Sequence, residues 1–229
     1  MYKRIKIILW KELKDALKNK PIVLVFFVLP LLYIALSMHM DINEIKFSTP
    51  SFITFQLILN PVLCMATIIA EEKEKSTLNA LITAGVKPIE YLLGIGIFVI
   101  LNALLSISIY LFRYHIEVGQ IFYFYFITIL GAVCSTIIGG IVGLAAKRQS
   151  SVGPICTIIS MILGVSTMMS NYSDKLYKVT SFFYAQQISN MYRNNQCIFK
   201  IDKISIVIIN IIILFAIFSV AYKKNKFCE

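Results

Sequence analysis

The sequence predicts an all-α, polytopic membrane protein with six transmembrane helices, an interfacial helix before them and a short cytoplasmic coupling helix between the second and third spans. Two observations carry that expectation. Of the 229 residues, 58% are hydrophobic and only 15% are charged, against about 25% charged in average globular chains, and the mean hydropathy is +0.78. The apolar residues also gather into six runs of about 18 to 26 residues, long enough to cross a ~30 Å hydrocarbon core. The charges fall in the short segments between the runs.

The first 20 residues place Ile5, Ile8, Leu9, Leu13, Ala16 and Leu17 on one helical face and Lys3, Arg4, Lys11, Lys14 and Lys18 on the other. That pattern describes a helix lying in the membrane interface, lysines toward anionic headgroups and Trp10 at the boundary. A simple basic flank that orients the first span is the plainer reading of the same charges. No cleavable leader is expected, because an amphipathic helix stands where a short apolar core would be. The spans are read at 21–38, 52–70, 91–112, 121–146, 152–169 and 204–222. Pro21 suits a first turn, and Pro30, Pro61 and Pro154 would kink or interrupt their spans. Residues 21–229 therefore form one transmembrane domain, with a loop at 71–90 and an outer segment at 170–203.

Residues 69–94 are the most densely charged island, with Glu71, Glu72, Glu74 and Glu90 beside Lys73, Lys75 and Lys87. Within it, 76–84 reads as a short helix with Leu78, Leu81 and Ile82 on one stripe. Ser76 is its expected N-cap, with Glu71, Glu72 and Glu74 ahead of the helix start, where the dipole favours negative charge. Gly85 ends it and Pro88 follows. A charged approach, a short helix and a firm stop between two spans are shaped to be gripped by something outside the membrane.

The positive-inside rule sets the orientation. With both ends cytoplasmic, 15 Lys and Arg lie inside and 7 outside, which puts the charged island in the cytoplasm, Cys197 outside and Cys228 inside. Five scattered cysteines show no metal-ligand spacing, and their odd number argues against a disulfide framework. The fourth span carries a small-residue face of Gly131, Ser135, Gly139, Gly140 and Gly143, suited to close packing within one subunit or to a dimer contact. The outer segment, rich in aromatics, reads as interfacial or re-entrant helix.

No phosphate-loop motif or HExxH occurs in the sequence, so no catalytic centre is expected and ATP is not bound by that means. His39 and His115 sit at span ends, where an interfacial role is the plain reading. Ser160 and Ser166 have no histidine at membrane depth to activate them. Asn60, Asn102 and Asn210 lie within spans, as interhelical polar contacts or as lining of a translocation path. No carboxylate or cation lies at the membrane centre, which disfavours an ion-coupled carrier. The lysines follow membrane topology and do not form a nucleic-acid patch.

The stretches ILWKELKDALKNKPIVLVFFVLPLL and IAEEKEKSTLNALITAGVKPIEYLLG, with the long outer segment between the fifth and sixth spans, resemble permease subunits of type-2 ATP-binding-cassette (ABC) exporters. Two departures are present: Ile95 follows Gly94 where relatives often carry lysine, and Ser181–Phe182–Phe183 stands where they often have Asn-Pro. The resemblance implies a second permease subunit, a separate ATPase chain that holds ATP and magnesium, no cofactor in this chain, and a bacterial plasma-membrane location. It also implies that the ATPase docks on the 71–90 loop through Glu71, Glu72, Glu74, Ser76, Thr77, Leu78 and Leu81. The expected cargo is an amphiphile such as a peptide, lipid or drug. A non-transporting immunity or assembly partner, and a permease delivering haem or another cofactor, are the alternative readings.

Overall fold

A computed structural model describes residues 2–18, 20–114, 118–170, 173–193 and 201–224. His115, Cys197 and Cys228 lie outside these residues. Every regular element among them is a helix. In chain order they are α1 (Tyr2–Lys18), α2 (Lys20–Ser37), α3 (Ile42–Glu74), α4 (Thr77–Thr83), α5 (Pro88–Ser108), α6 (Ile121–Ala145), α7 (Val152–Met169), α8 (Asp174–Thr180), α9 (Tyr184–Arg193) and α10 (Ile201–Lys224). Short 3-10 turns extend α5 through Phe112 and precede α6 and α7.

Five helical stretches among the described residues are long and apolar enough to cross a membrane: Ile42–Glu74, Pro88–Phe112, Val118–Ala145, Gln149–Met169 and Asp202–Lys224. The sixth expected span corresponds to α2, whose apolar stretch Phe26–Ser37 is shorter. Apolar side chains of α2 (Leu31, Leu32, Leu36), α7 (Ile158, Ile162) and α10 (Ile212, Ile213, Val220) face outward. Water would not tolerate so continuous an apolar surface on a monomer, whereas lipid does.

The organising element is α3. The expected second span begins only at Phe52, after Asn43, Glu44, Lys46 and Pro50, yet the helix begins at Ile42 and runs for 33 residues. Its start is capped when the Asp41 N–H donates to Glu44 Oε2 at 3.1 Å. Thr49 and Thr54 turn their hydroxyls back onto the Ile45 and Pro50 carbonyls at 2.6 and 2.7 Å, hiding polar atoms that would otherwise face an apolar surrounding. At about 1.5 Å per residue the helix is roughly 50 Å long, well beyond the hydrocarbon core. It packs against α2, α4, α5, α6, α7 and α9.

The small-residue face of α6 meets α3. A Cβ on Gly139 would lie 2.5 Å from the Val62 carbonyl oxygen, and one on Gly143 would lie 2.8 Å from that of Ala66. Glycine here lets two backbones touch, as small residues do between membrane helices. Gly140 points elsewhere, toward the Phe218 ring of α10.

The outer segment contains α8 and α9, broken at Ser181–Phe183. The inner length of α9 is enclosed, and it packs against α3, α6, α7 and α10. Ser135 and Tyr184 share a hydrogen bond of 2.9 Å, Thr128 and Tyr192 one of 2.7 Å. Arg193 donates to Ser51 Oγ at 2.8 Å, and Arg113 to the Ser37 carbonyl at 2.6 Å, closing this end of the bundle.

Gly139→Leu should weaken folding by about 1–3 kcal/mol or more, as overpacking of a tight contact does. Ile212→Leu, on the outward face of α10, should change it little. Thermal unfolding of both variants in detergent, against the parent chain, checks the difference.

Candidate functional site

The end of the bundle opposite α8 and α9 gathers α1, α4, the last turn of α3 and the termini of α5, α6 and α10. Glu71, Glu72, Lys73 and Glu74 occupy that last turn of α3. The acids lie ahead of the coupling helix, as expected, but they belong to α3 and are not a free approach to α4. They stand at a helix C-terminus, where the dipole opposes negative charge; Glu72 and Glu74 are compensated from other elements and Glu71 by Lys75 at the end of its own helix.

Glu72, only 4% exposed, is paired with Lys11 of α1 through Oε1 and accepts the Tyr91 hydroxyl of α5 on Oε2 at 2.5 Å. Lys73 donates to the Leu144 and Ala146 carbonyls at 2.7 and 3.0 Å, satisfying the open end of α6 with a cation on the favourable side of its dipole. Glu74 accepts the Gln149 N–H at 3.1 Å, holding the turn before α7. Glu71 pairs with Lys75 four residues on, at 2.5 Å and largely in solvent, where such pairs contribute little.

Ser76 links α3 to α4 in the left-handed region, φ 59°, and its side chain makes no capping bond. The expected N-cap is therefore right in position and wrong in mechanism. Thr77 closes the junction instead by donating to the Glu72 carbonyl at 2.9 Å. The other end of α4 stops as expected. Gly85 adopts φ 74°, its N–H reaches the Ile82 carbonyl, and the Val86 N–H reaches that of Leu81, at 2.9 and 3.1 Å. This paired closure needs a left-handed residue at Gly85. Arg4 of α1 donates to the Gly85 carbonyl at 2.7 Å and pairs with Glu90 at 3.4 Å. Glu90 also accepts the Lys87 N–H at 3.0 Å, capping α5, and Tyr222 of α10 donates to the Val86 carbonyl at 3.3 Å.

Leu78 is 0% exposed and belongs to the chain's own core, as does Ile82, with Leu81 half-buried beside them. The assignment of Leu78 as a docking contact is corrected accordingly. Its side chain anchors α4 to the bundle. The outward surface of α4 is Ser76, Thr77, Ala80 and Thr83, with Leu81 at its edge.

Beside this junction lies Glu12 of α1, 5% exposed. Burial pushes its carboxyl up to about 7, against the pull of Lys11 at 3.2 Å and with a further push from Glu72. Burial alone would lower Lys11, but the bond and charge of Glu72, with Glu12, outweigh it and leave the ammonium above its ordinary value.

At membrane depth, the three asparagines are not gathered into one place. Asn102 donates to the Phe98 carbonyl of its own helix at 2.9 Å. Asn210 bridges α10 to the Phe182 carbonyl at 3.0 Å. Asn60 belongs to a larger polar cluster that the sequence reading missed, centred on Gln56. Pro30 has no N–H, so the Phe26 carbonyl four residues earlier loses its helical partner. Gln56 Nε2 and Asn60 Nδ2 donate to that carbonyl at 3.1 and 3.4 Å. Gln56 Nε2 also reaches Ser106 Oγ at 2.9 Å, and its Oε1 accepts the Tyr110 hydroxyl at 2.6 Å. The signal available in the sequence was Pro30 itself, since a proline inside a span requires a donor elsewhere.

A family model described as "ABC-2 family transporter protein" matches residues 35–222. The chain belongs to the ABC-2 transporter family. Comparison with curated proteins finds no match. The ABC-2 membership identifies the chain as a permease subunit, the transmembrane component of an ABC transporter. Among the described residues no group of three or more His, Cys, Asp or Glu side chains is placed to hold a metal ion.

Two outcomes follow for this ABC-2 permease. Because native Glu12 holds its proton to a higher pH than the unfolded chain does, stability should fall as pH rises from about 4.5 to about 7 and then level off, with a slope approaching one proton. Glu12→Gln should remove that slope, read as unfolding temperature against pH. Separately, Gln56→Leu removes the acceptor of the Tyr110 hydroxyl and leaves the Phe26 carbonyl with Asn60 alone, and should cost about 1–3 kcal/mol. Ile208→Ala, on the outward face, serves as the comparison in the same melts.

Proposed function

We propose that this ABC-2 permease is the membrane-spanning half of an exporter, powered by an ATPase on a separate chain that binds ATP and magnesium, and that the α3–α4–α5 junction receives the ATPase's motion. One observation carries this reading: α4 is tied to the bundle at several points, through Arg4, Thr77 and Tyr222, while its outward face of Ser76, Thr77, Ala80 and Thr83 stays exposed. A short helix fixed to the bundle and bare on its outer side passes displacement inward as a rigid body.

In this arrangement the acidic residues act behind the docking face. Glu72 holds α1 and α5 to α3, while Glu71, Glu74 and the half-buried Leu81 flank the contact. Differential contact of the ATPase with α4 in its two nucleotide states would move the helices together. With both termini in the cytoplasm, a second permease subunit completes the path, and an amphiphilic peptide, lipid or drug passes between the halves. Outward apolar surface on α2, α7 and α10 supports access by such a cargo from lipid.

Ala80→Arg should leave folding unchanged, because Ala80 is exposed. It should weaken association with the ATPase subunit at least about tenfold, or roughly 1.4 kcal/mol. Transport of a fluorescent lipid or peptide by the reconstituted complex should fall in parallel. Wild-type association and wild-type transport together would refute the docking role.

A further inference from the structure

Helix α1 meets the bundle with the apolar face that the sequence assigns to the membrane. Ile8 is buried against α5, where a Cβ on Gly94 would lie 2.6 Å from its side chain, and Leu9 and Ala16 pack on the same core. Arg4 and Lys11, expected toward headgroups, turn inward as well, Arg4 to the Gly85 carbonyl and Glu90, Lys11 to Glu72. Both acidic residues of the helix, Glu12 and Asp15, line the cleft on that side.

A different stripe is left outside. Lys3, Lys6, Ile7, Trp10 and Lys14 are all exposed, and on an α-helix those positions fall within an arc of roughly 100°. Ile7 is 69% and Trp10 60% exposed, an apolar centre between cations at either end. Lys14 lies over the Trp10 ring, 5.5 Å from its centroid. None of the three lysines has an ion-pair partner among the described residues. Exposed isoleucine and indole flanked by uncompensated ammonium groups suit a charged leaflet, where the apolar groups enter the boundary and the ammonium groups reach phosphate. The position agrees: α2 follows at Lys20 and exposes Leu24, Val28 and Leu31, so α1 leads directly into the lipid-facing wall of the bundle. We propose that this outward stripe binds anionic phospholipid headgroups, with Lys3, Lys6 and Lys14 on their phosphates and Ile7 and Trp10 at the acyl boundary. Binding there does not rest on the docking role proposed for α4, and a wild-type result for Ala80→Arg leaves it standing.

Trp10 is the only tryptophan of the chain, so its fluorescence reports on this stripe alone. The full chain is reconstituted in vesicles of equal parts phosphatidylglycerol and phosphatidylcholine, with bromine on the acyl chains of one lipid or of the other. Composition is then identical, and only the identity of the lipid beside Trp10 decides the quenching. A lysine at a charged surface favours an anionic lipid roughly fivefold, so bromine on phosphatidylglycerol should quench at least about twice as strongly as bromine on phosphatidylcholine. The triple variant Lys3→Gln, Lys6→Gln, Lys14→Gln should bring the two labels to equal quenching. A second triple variant, Lys147→Gln, Lys223→Gln, Lys224→Gln, removes as much charge from exposed positions elsewhere and should keep the parent's preference. Equal quenching by the two labels in the parent chain overturns the proposal without reference to any variant. So does a preference that survives the first triple variant or disappears equally in the second. Quenching by neither label places the stripe against water or protein and overturns it too.

Discussion

The arrangement of the loop end depends on the buried carboxylate of Glu72. A nearly enclosed charge is stable only when paired and hydrogen-bonded, and here the ammonium of Lys11 and the hydroxyl of Tyr91 meet that demand from two different helices. The requirement therefore fixes the position of α1 against α5 and of both against α3. Removing Lys11 leaves the carboxylate uncompensated, a larger penalty than the loss of an ordinary contact. The neighbouring residues repeat the logic with other elements, Lys73 toward α6 and Glu74 toward the turn before α7. Three successive residues, Glu72, Lys73 and Glu74, thus address four separate parts of the chain.

A similar rule governs the middle of the bundle with neutral groups. In lipid each backbone carbonyl needs a donor, and Pro30 removes one in α2. Gln56 and Asn60 supply the replacement from α3, and Gln56 is itself completed by Ser106 and Tyr110 of the α5 region. The proline and the amides are complementary parts of one contact. Neither is intelligible alone.

That complementarity explains what was legible in the sequence. Apolar runs depend on local composition, so the helices at 121–145 and 152–169 appear where hydropathy places them. The stop at Gly85 is equally local, since a left-handed turn leaves its mark in the residue that adopts it. The small-residue face of α6 could be read as a contact, though not which helix it touches. The acids were harder. Lying between α3 and α4, they could belong to either helix, and the partner that decides the matter, Lys11, is 61 residues away. The beginning of α3 was hidden because Pro50 and the polar residues before it resemble a loop until their hydroxyls are seen folded back on the helix. Leu78 illustrates a further limit: an apolar stripe shows that a face is covered, not whether its own chain or a partner covers it.

The length of α3 has a mechanical consequence. One unbroken helix joins Ser51, beside Arg193 at one extremity, to the Glu72 pairing at the other. An α-helix resists stretching and twisting far more than a loop does, so a torque applied near Thr77 turns the whole shaft and arrives at α9 with little lost on the way. Pro50 and Pro61 each omit one rung of its ladder. They leave the shaft stiff in rotation while allowing it to flex sideways at two joints.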